Sequence, residues 1–118
     1  MVAPSIRLYS YWRSSAAYRV RIALNLKGMA YETMPVHLLR NGGEQHAPPF
    51  SDINPQELVP VLMHGSRILR QSMAIIEYLE ETRPQPPLLP GDATDRARVR
   101  AIALAIACEI HPLNNLRV

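Results

Sequence analysis

The sequence predicts an α/β domain, a four-stranded mixed sheet with helices packed on it, and three observations carry that prediction. The first is a strand-helix-strand order. Apolar Ile6, Leu8 and Tyr9 lead into a segment at 15–27 whose residues Ala17, Val20, Ala23 and Leu24 recur at helical spacing, and residues 31–36 read as strand again. Gly28 follows that helix as the residue that best tolerates the left-handed conformation at a helix end. The second observation is a hairpin, with strands at 59–64 and 67–69 around the turn His64-Gly65-Ser66. A helix over 72–82 follows directly, its stripe carried by Ile75, Ile76 and Leu79. The third is the run Pro84-Gln85-Pro86-Pro87 with Pro90-Gly91-Asp92, which cannot be helical and reads as a stiff linker.

The remaining segments follow from the same reasoning. Residues 39–55 carry Asn41-Gly42-Gly43 and Pro48-Pro49 and read as a long irregular connection, a length at which loops are usually functional or disordered. Beyond the linker a helix starts near Ala93. Its stretch 101–108 is apolar all the way round, which predicts burial on several sides, and the sequence supplies no neighbours to bury it. The pattern therefore predicts the front part of a longer protein with a helical second domain. The boundaries expected are 1–83 for the first domain, 84–92 for the linker, and 93–118 for the first helix and turn of the second.

Composition narrows the function. The formal charge of +3 comes from arginines scattered along the chain, such as Arg7, Arg40, Arg67 and Arg96, without the basic run or aromatic interleaving of a nucleic-acid binder. No apolar run approaches the roughly 18 residues of a membrane span, and residues 1–11 lack the pattern of a signal segment, so the expectation is a cytoplasmic protein with no membrane partner. The single Cys108 forms neither an internal disulfide nor a metal cluster, and no other His, Asp or Glu spacing predicts a metal. Thiol chemistry here has to borrow its sulfur.

One junction invites that chemistry. In Arg13-Ser14-Ser15-Ala16-Ala17-Tyr18-Arg19-Val20-Arg21 a strand runs straight into two hydroxyls that open a helix. The first amides of a helix lack intrahelical acceptors, and the aligned peptide dipoles add partial positive charge, so the junction suits an anion such as a thiolate.

Several motifs resemble those of the zeta class of glutathione S-transferases, the maleylacetoacetate isomerases. They are Ser14-Ser15-x-x-Tyr18-Arg19-Val20-Arg21-Ile22-Ala23-Leu24, then Asn54-Pro55, Val59-Pro60, Gln71-Ser72-Met73-Ala74-Ile75-Ile76-Glu77-Tyr78-Leu79, and His111-Pro112-Leu113-Asn114-Asn115-Leu116. The block at 71–79 marks the superfamily, and the one at 14–21 is closer to zeta-specific. The resemblance implies a thioredoxin-like first domain, an all-helical second domain, a homodimer when full length, and glutathione as cofactor. Many zeta members carry cysteine where this chain has Ala16 and tryptophan where it has Tyr18. That departure touches thiol-disulfide side chemistry more than isomerisation.

The resemblance also assigns residues. Ser14, Ser15 and Arg19 are the expected catalytic set. Ser14, preceding the helix, is expected to donate to the glutathione sulfur, and Ser15 to be spent on capping, although both also read as ordinary N-cap residues. Lowering a thiol pKa by about two units corresponds to roughly 2.7 kcal/mol, within reach of one charge-assisted hydrogen bond and a helix dipole. Arg19 also reads as a solvated helix charge; the resemblance instead places it near the sulfur or the carboxylates of a small dicarboxylate-like substrate. The cofactor-binding set comprises Ser14, Ser15, Ala16, Ala17, Tyr18 and Arg19, with Gln45, Val59, Pro60, Gln71 and Ser72. Ser72 and its helix amides are expected to hold the γ-glutamyl carboxylate, and a cis Val59-Pro60 bond to turn the Val59 backbone toward the cysteinyl unit. Gln45 is expected to be exposed unless it contacts glutathione. His111, Asn115, Leu116 and Arg117 complete the set from the second-domain side, while Tyr9, Tyr11, Trp12 and Cys108 are left as packing or rim residues.

The activity implied is glutathione-dependent cis-trans isomerisation of maleylacetoacetate, with these 118 residues alone expected to be inactive. The alternatives are maleylpyruvate isomerase, a broader transferase or dehalogenase, and, from another class, a non-catalytic interaction module. Retention of Ser14, Gln71 and Ser72 argues against the last.

Overall fold

In the computed structural model, which describes residues 5–110, strand β1 (Ile6–Ser10) buries Ile6, Leu8 and Ser10 and turns Arg7 outward, the two-residue period of a pleated strand. Helix α1 (Ser15–Leu26) buries Ala17, Val20, Ala23 and Leu24, the stripe read from the sequence. Gly28 ends it at φ 66°, where the Gly28 N–H donates to the Asn25 carbonyl (3.1 Å) and the Met29 N–H to the Leu24 carbonyl (3.0 Å). These two bonds form the Schellman closure that a left-handed residue allows. Strand β2 (Glu32–Pro35) then lies parallel to β1.

The hairpin of β3 (Val61–His64) and β4 (Arg67–Arg70) pairs antiparallel with β1 through β3, with Leu8 opposite Leu62, so the sheet order is β2-β1-β3-β4. The connection before it holds two single turns of 3₁₀-helix and a four-residue helix α2 (Phe50–Ile53). Helix α3 (Ser72–Thr82) and helix α4 (Ala93–Leu104), which runs on into a π-helical segment at Ala105–Ile110, complete the element order. This is a mixed, thioredoxin-like α/β sheet.

Two cores flank the sheet. Ile6, Leu8 and Leu62 pack with Val20, Ala23 and Leu24 of α1 and with Ile75 and Leu79 of α3 on one face. Val36, Phe50 and Val61 form the second cluster, so α2 covers the opposite face. Each fully buried Leu or Ile contributes about 1.5–3 kcal/mol relative to exposure, which makes the α1/α3 layer the principal source of stability.

Two expectations are corrected here. The connection at 39–55 is ordered locally: Phe50 anchors it in the second core, and Asn54 is buried at its end. Strand β3 starts at Val61 instead of residue 59, because Pro60 has no N–H to give the ladder. The apolar helix stretch is left partly uncovered among the described residues, as its missing neighbours led us to expect: Ile102, Leu104 and Ile106 are 61, 46 and 48 % exposed, while α3 lies along one side of it. On that contact side Arg100 forks onto Glu77 of α3, Nε to Oε1 at 2.7 Å and the second nitrogen to Oε2 at 3.0 Å. The hydrogen bond from Arg100 holds the Glu77 carboxyl below its usual range. Among the described residues, no helix is long and apolar enough to cross a membrane.

The far end of α1 carries a buried charge. The Lys27 ammonium reaches Glu80 Oε1 (2.6 Å) and the carbonyls of Arg83 (2.6 Å) and Pro86 (2.7 Å), so its three hydrogens meet three acceptors. Glu80 in turn accepts from the N–H groups of Leu88 (2.9 Å) and Leu89 (3.1 Å). One side-chain pair thus clamps the backbone of the proline-rich segment after α3 onto the ends of α1 and α3. Burial works against the charged form of Glu80, but the Lys27 bond and the two amides outweigh it and leave the carboxyl below its ordinary value of 4.5.

Breaking a buried pair from one side strands the other charge, so Lys27→Met should cost about 3–5 kcal/mol in urea unfolding. Because the folded Glu80 pKa is depressed, its contribution to stability is present above the unfolded value and is lost as pH falls through the folded one. Unfolding free energy measured against pH should therefore decline below about pH 4.5, and Glu80→Gln should flatten that decline.

Candidate active site

The N-terminus of α1 is closed by its own side chain. Ser14 has extended backbone (φ −76°, ψ 117°) and its Oγ accepts from the Ala17 N–H at 3.1 Å. That makes Ser14 the N-cap, the role expected of Ser15. The cap uses Oγ as an acceptor only, so the Ser14 hydroxyl hydrogen remains for a second partner. Ser15 is the first residue inside the helix and is exposed.

The N-terminus of α3 is built differently. Gln71 precedes it at φ 74°, ψ 121°, a sparsely populated conformation for a residue with a side chain, costing on the order of 1–3 kcal/mol. It supplies no side-chain cap. Its Nε2 instead donates to Gln56 Oε1 at 3.2 Å. The leading amides of α3 are thus left without the side-chain acceptor that α1 has, the arrangement that suits an anion from outside. Beside them, Ser72 is buried and its Oγ accepts from an Arg19 terminal nitrogen at 3.0 Å.

An open cavity of about 250 Å³ lies against this end. Ala16 and Arg19 line it from α1, and Gln71, Ser72 and Met73 from α3. Asn54, Gln56, Leu58, Val59 and Pro60 form the wall before β3, and Leu104, Ala107 and Cys108 close it from the last helix. The Val59-Pro60 bond is cis, as the resemblance implies. Arg19 is the residue of this lining that is charged at neutral pH. Its burial lowers its pKa from the usual guanidinium value, partly offset by the nearby Cys108, and the guanidinium stays protonated.

The expected site residues divide on helical geometry. Ala16 and Arg19 are three apart and share the cavity face of α1, whereas Ala17 points into the core with no exposure and Tyr18 points to solvent, its ring under the Arg21 guanidinium at 4.9 Å. Neither Ala17 nor Tyr18 lines the cavity. Gln45, expected to be exposed by default, is instead 7 % exposed, and its Oε1 is a buried acceptor without a hydrogen-bond partner among the described residues. It lies outside the cavity lining. His111, Asn115, Leu116 and Arg117 fall outside the described residues. Sequence reasoning missed Asn54, Gln56, Leu58, Met73, Leu104 and Ala107 as lining residues; Asn54-Pro55 entered it only as part of the resemblance. Among the described residues no group of three or more His, Cys, Asp or Glu is placed to hold a metal.

Comparison with known proteins bears on this geometry. Residues 8–87 match the family described as glutathione S-transferase, N-terminal domain. The chain belongs to the glutathione S-transferase family. It is 60 % identical over 114 residues to a probable maleylacetoacetate isomerase of Vibrio cholerae, covering 97 % of this chain and 53 % of that protein. Among solved structures it is similar to a holo maleylpyruvate isomerase of the zeta class, with TM-score 0.89, 53 % identity and 94 % of this chain against 51 % of that one. It is also similar to the maleylacetoacetate isomerase of Methylobacterium extorquens AM1 with bound malonate and glutathione (TM-score 0.87, 53 % identity, 95 and 52 % covered). The chain spans about half the length of the curated relatives it matches.

The capping geometry of this transferase domain makes a direct prediction. Ser14→Ala should lower unfolding free energy by about 1 kcal/mol through loss of the cap, and Ser15→Ala, which keeps that cap, should cost less. Chemical denaturation of the two variants against the native chain reads the difference.

Proposed function

We propose that this chain binds glutathione at the N-terminus of α3 and belongs to an enzyme that isomerises maleylacetoacetate from cis to trans. The observation that carries the reading is the α3 terminus: helix amides with no side-chain cap, a buried Ser72 hydroxyl and the Arg19 guanidinium, together on one cavity wall. A carboxylate placed there receives charge-assisted hydrogen bonds, each worth about 1.5–3 kcal/mol. The donor set fits a peptide with a free α-carboxylate. The buried Gln45 Oε1, without a hydrogen-bond partner among the described residues, fits an additional polar contact, and relatives at 53–60 % identity with isomerase names support the same assignment.

Glutathione, when bound, supplies a thiolate that adds to one carbon of the activated double bond, allows rotation about the resulting single bond and departs, leaving the trans product and an unchanged tripeptide. The protein's part is electrostatic and positional. Ser14 keeps its cap bond and donates its free hydroxyl hydrogen toward the sulfur, and the parallel N-termini of α1 and α3 favour negative charge in front of them. The Val59 backbone holds the cysteinyl unit. Arg19 donates to Ser72 and presents its remaining N–H groups to carboxylates in the cavity, which suits a dicarboxylate-like substrate.

In this reading residues 1–83 are the glutathione-binding domain, 84–92 the linker and 93–118 the opening of a helical domain that supplies the other side of the substrate pocket. His111, Asn115, Leu116 and Arg117 act from that side, and the full-length protein is a homodimer. Maleylpyruvate is the second acceptor to test, favoured by the similarity to the zeta-class maleylpyruvate isomerase.

Calorimetry with glutathione tests the site. Ser72→Ala should weaken binding by about 1–2 kcal/mol, a 5- to 30-fold rise in Kd, through loss of a hydrogen bond to a charged group. Equal affinities remove Ser72 from the site. In the full-length protein, cis-trans conversion followed by proton nuclear magnetic resonance should require glutathione, and turnover without it refutes the mechanism.

A further inference from the structure

The Asn54-Pro55 turn is part of the resemblance, yet no role was assigned to it, and the side chain of Asn54 is almost fully buried at 1 % exposure. Its carboxamide is spent on the loop that follows. Oδ1 accepts from the Gln56 N–H at 3.0 Å, closing a turn of the kind Asn forms with its own backbone two residues on. Nδ2 donates to the Leu58 carbonyl at 2.8 Å. The Asn54 carbonyl also accepts from the Glu57 N–H at 2.8 Å, in a turn where Glu57 adopts φ 59°.

The bond to Leu58 reaches one residue further than it looks. A peptide unit is planar, and in the trans form its C=O and N–H point in opposite directions. The Leu58–Val59 unit is trans. Holding the Leu58 oxygen therefore fixes the direction of the Val59 N–H. The turn bond has a similar reach on the other side, since Gln56, whose N–H it fixes, accepts through Oε1 from Gln71, the residue that opens α3. The geometry points to Asn54 as a positioning residue that aims the Val59 amide, and steadies the α3 entrance, for the tripeptide. It acts through Leu58, Val59 and Gln56, and both polar atoms of its carboxamide are already engaged.

This inference rests on the glutathione-binding reading, so its test needs readouts that separate the two. Asn54→Asp keeps the acceptor for the Gln56 N–H but faces the Leu58 carbonyl with a carboxylate, which has no hydrogen to donate until it is protonated. Asn54→Ser keeps a turn acceptor but lacks the reach to Leu58. The charged groups around position 54 are Arg19 on the same cavity, Arg70 donating to the Ile53 carbonyl at 2.6 Å, Asp52 on α2, and Glu57 paired with His46 at 3.3 Å. All of them are common to the native chain and the variants, so the ratio of variant to native Kd at each pH isolates the new carboxyl.

Glutathione Kd by calorimetry and the ¹⁵N–¹H resonance of the Val59 amide are measured on the full chain from pH 4 to pH 8. At neutral pH both variants should bind about five- to tenfold more weakly, the effect of one hydrogen bond. For Asn54→Asp the deficit should shrink as pH falls and the protonated carboxyl regains a hydrogen for Leu58, with the Val59 resonance moving toward its native position over the same range. For Asn54→Ser the deficit and the displaced resonance should not vary in this way. Affinities within twofold of native at neutral pH, or an unmoved Val59 resonance, overturn the inference. An Asn54→Asp deficit that persists unchanged to low pH also overturns it, as the mark of a general loss of packing. Absence of glutathione binding by the native chain refutes the functional reading, while the Val59 resonance still decides the role of Asn54. If Asn54→Asp does not fold, the same two readouts on Asn54→Ser decide it.

Discussion

Helices α1 and α3 are joined by two side-chain bonds, Arg19 to Ser72 near their beginnings and Lys27 to Glu80 at their ends, and both span 53 positions in the sequence. Equal separation at both ends means that the helices run parallel and in step. Everything that matters in this molecule depends on that registration. It points both N-termini the same way, so the partial positive charges of two helices add on one side of the sheet. It also divides labour between the ends: the far pair is buried and fastens the proline-rich segment after α3, while the near pair borders the cavity.

The two N-termini meet the same physical requirement in opposite ways. Helix α1 satisfies an amide internally through Ser14, and helix α3 begins from a strained Gln71 that caps nothing. A protein shaped only for stability has little reason to spend on the order of 1–3 kcal/mol on such a backbone. The strain is intelligible where it leaves donors facing a ligand, with the α1/α3 core as the reservoir that sustains it.

Much of this was legible in the sequence, and the reasons are local. The bounds of α3, the stop at Gly28 and the hairpin turn follow from periodicity and turn chemistry that operate within a few residues. What stayed hidden depends on distant neighbours. A lysine at a helix end reads as solvated, and nothing near Lys27 announces that two carbonyls of a proline-rich segment and a glutamate will enclose it. The placement of the cap at Ser14 instead of Ser15 turned on a single backbone conformation one position earlier than expected. Gln45 read as an exposed loop polar, and nothing in the sequence marked Asn54 as buried, because their burial is decided by how a long connection folds over the sheet. The separation of Ala16 and Arg19 from Ala17 and Tyr18 was, by contrast, readable from the helix stripe itself, since Ala17 already belonged to the apolar face.

The cavity draws its walls from α1, the segment before β3, α3 and the last helix, so its shape exists only once chain segments more than fifty residues apart have come together. A molecule that binds there binds the folded state and not the unfolded one. By mass action, ligand at a hundred times its Kd adds about 2.7 kcal/mol to the unfolding free energy, close to the low end of what breaking a buried ion pair removes. The supply of ligand thereby becomes a determinant of how much folded protein persists, and the abundance of such a chain would track the metabolite pool as well as its own synthesis.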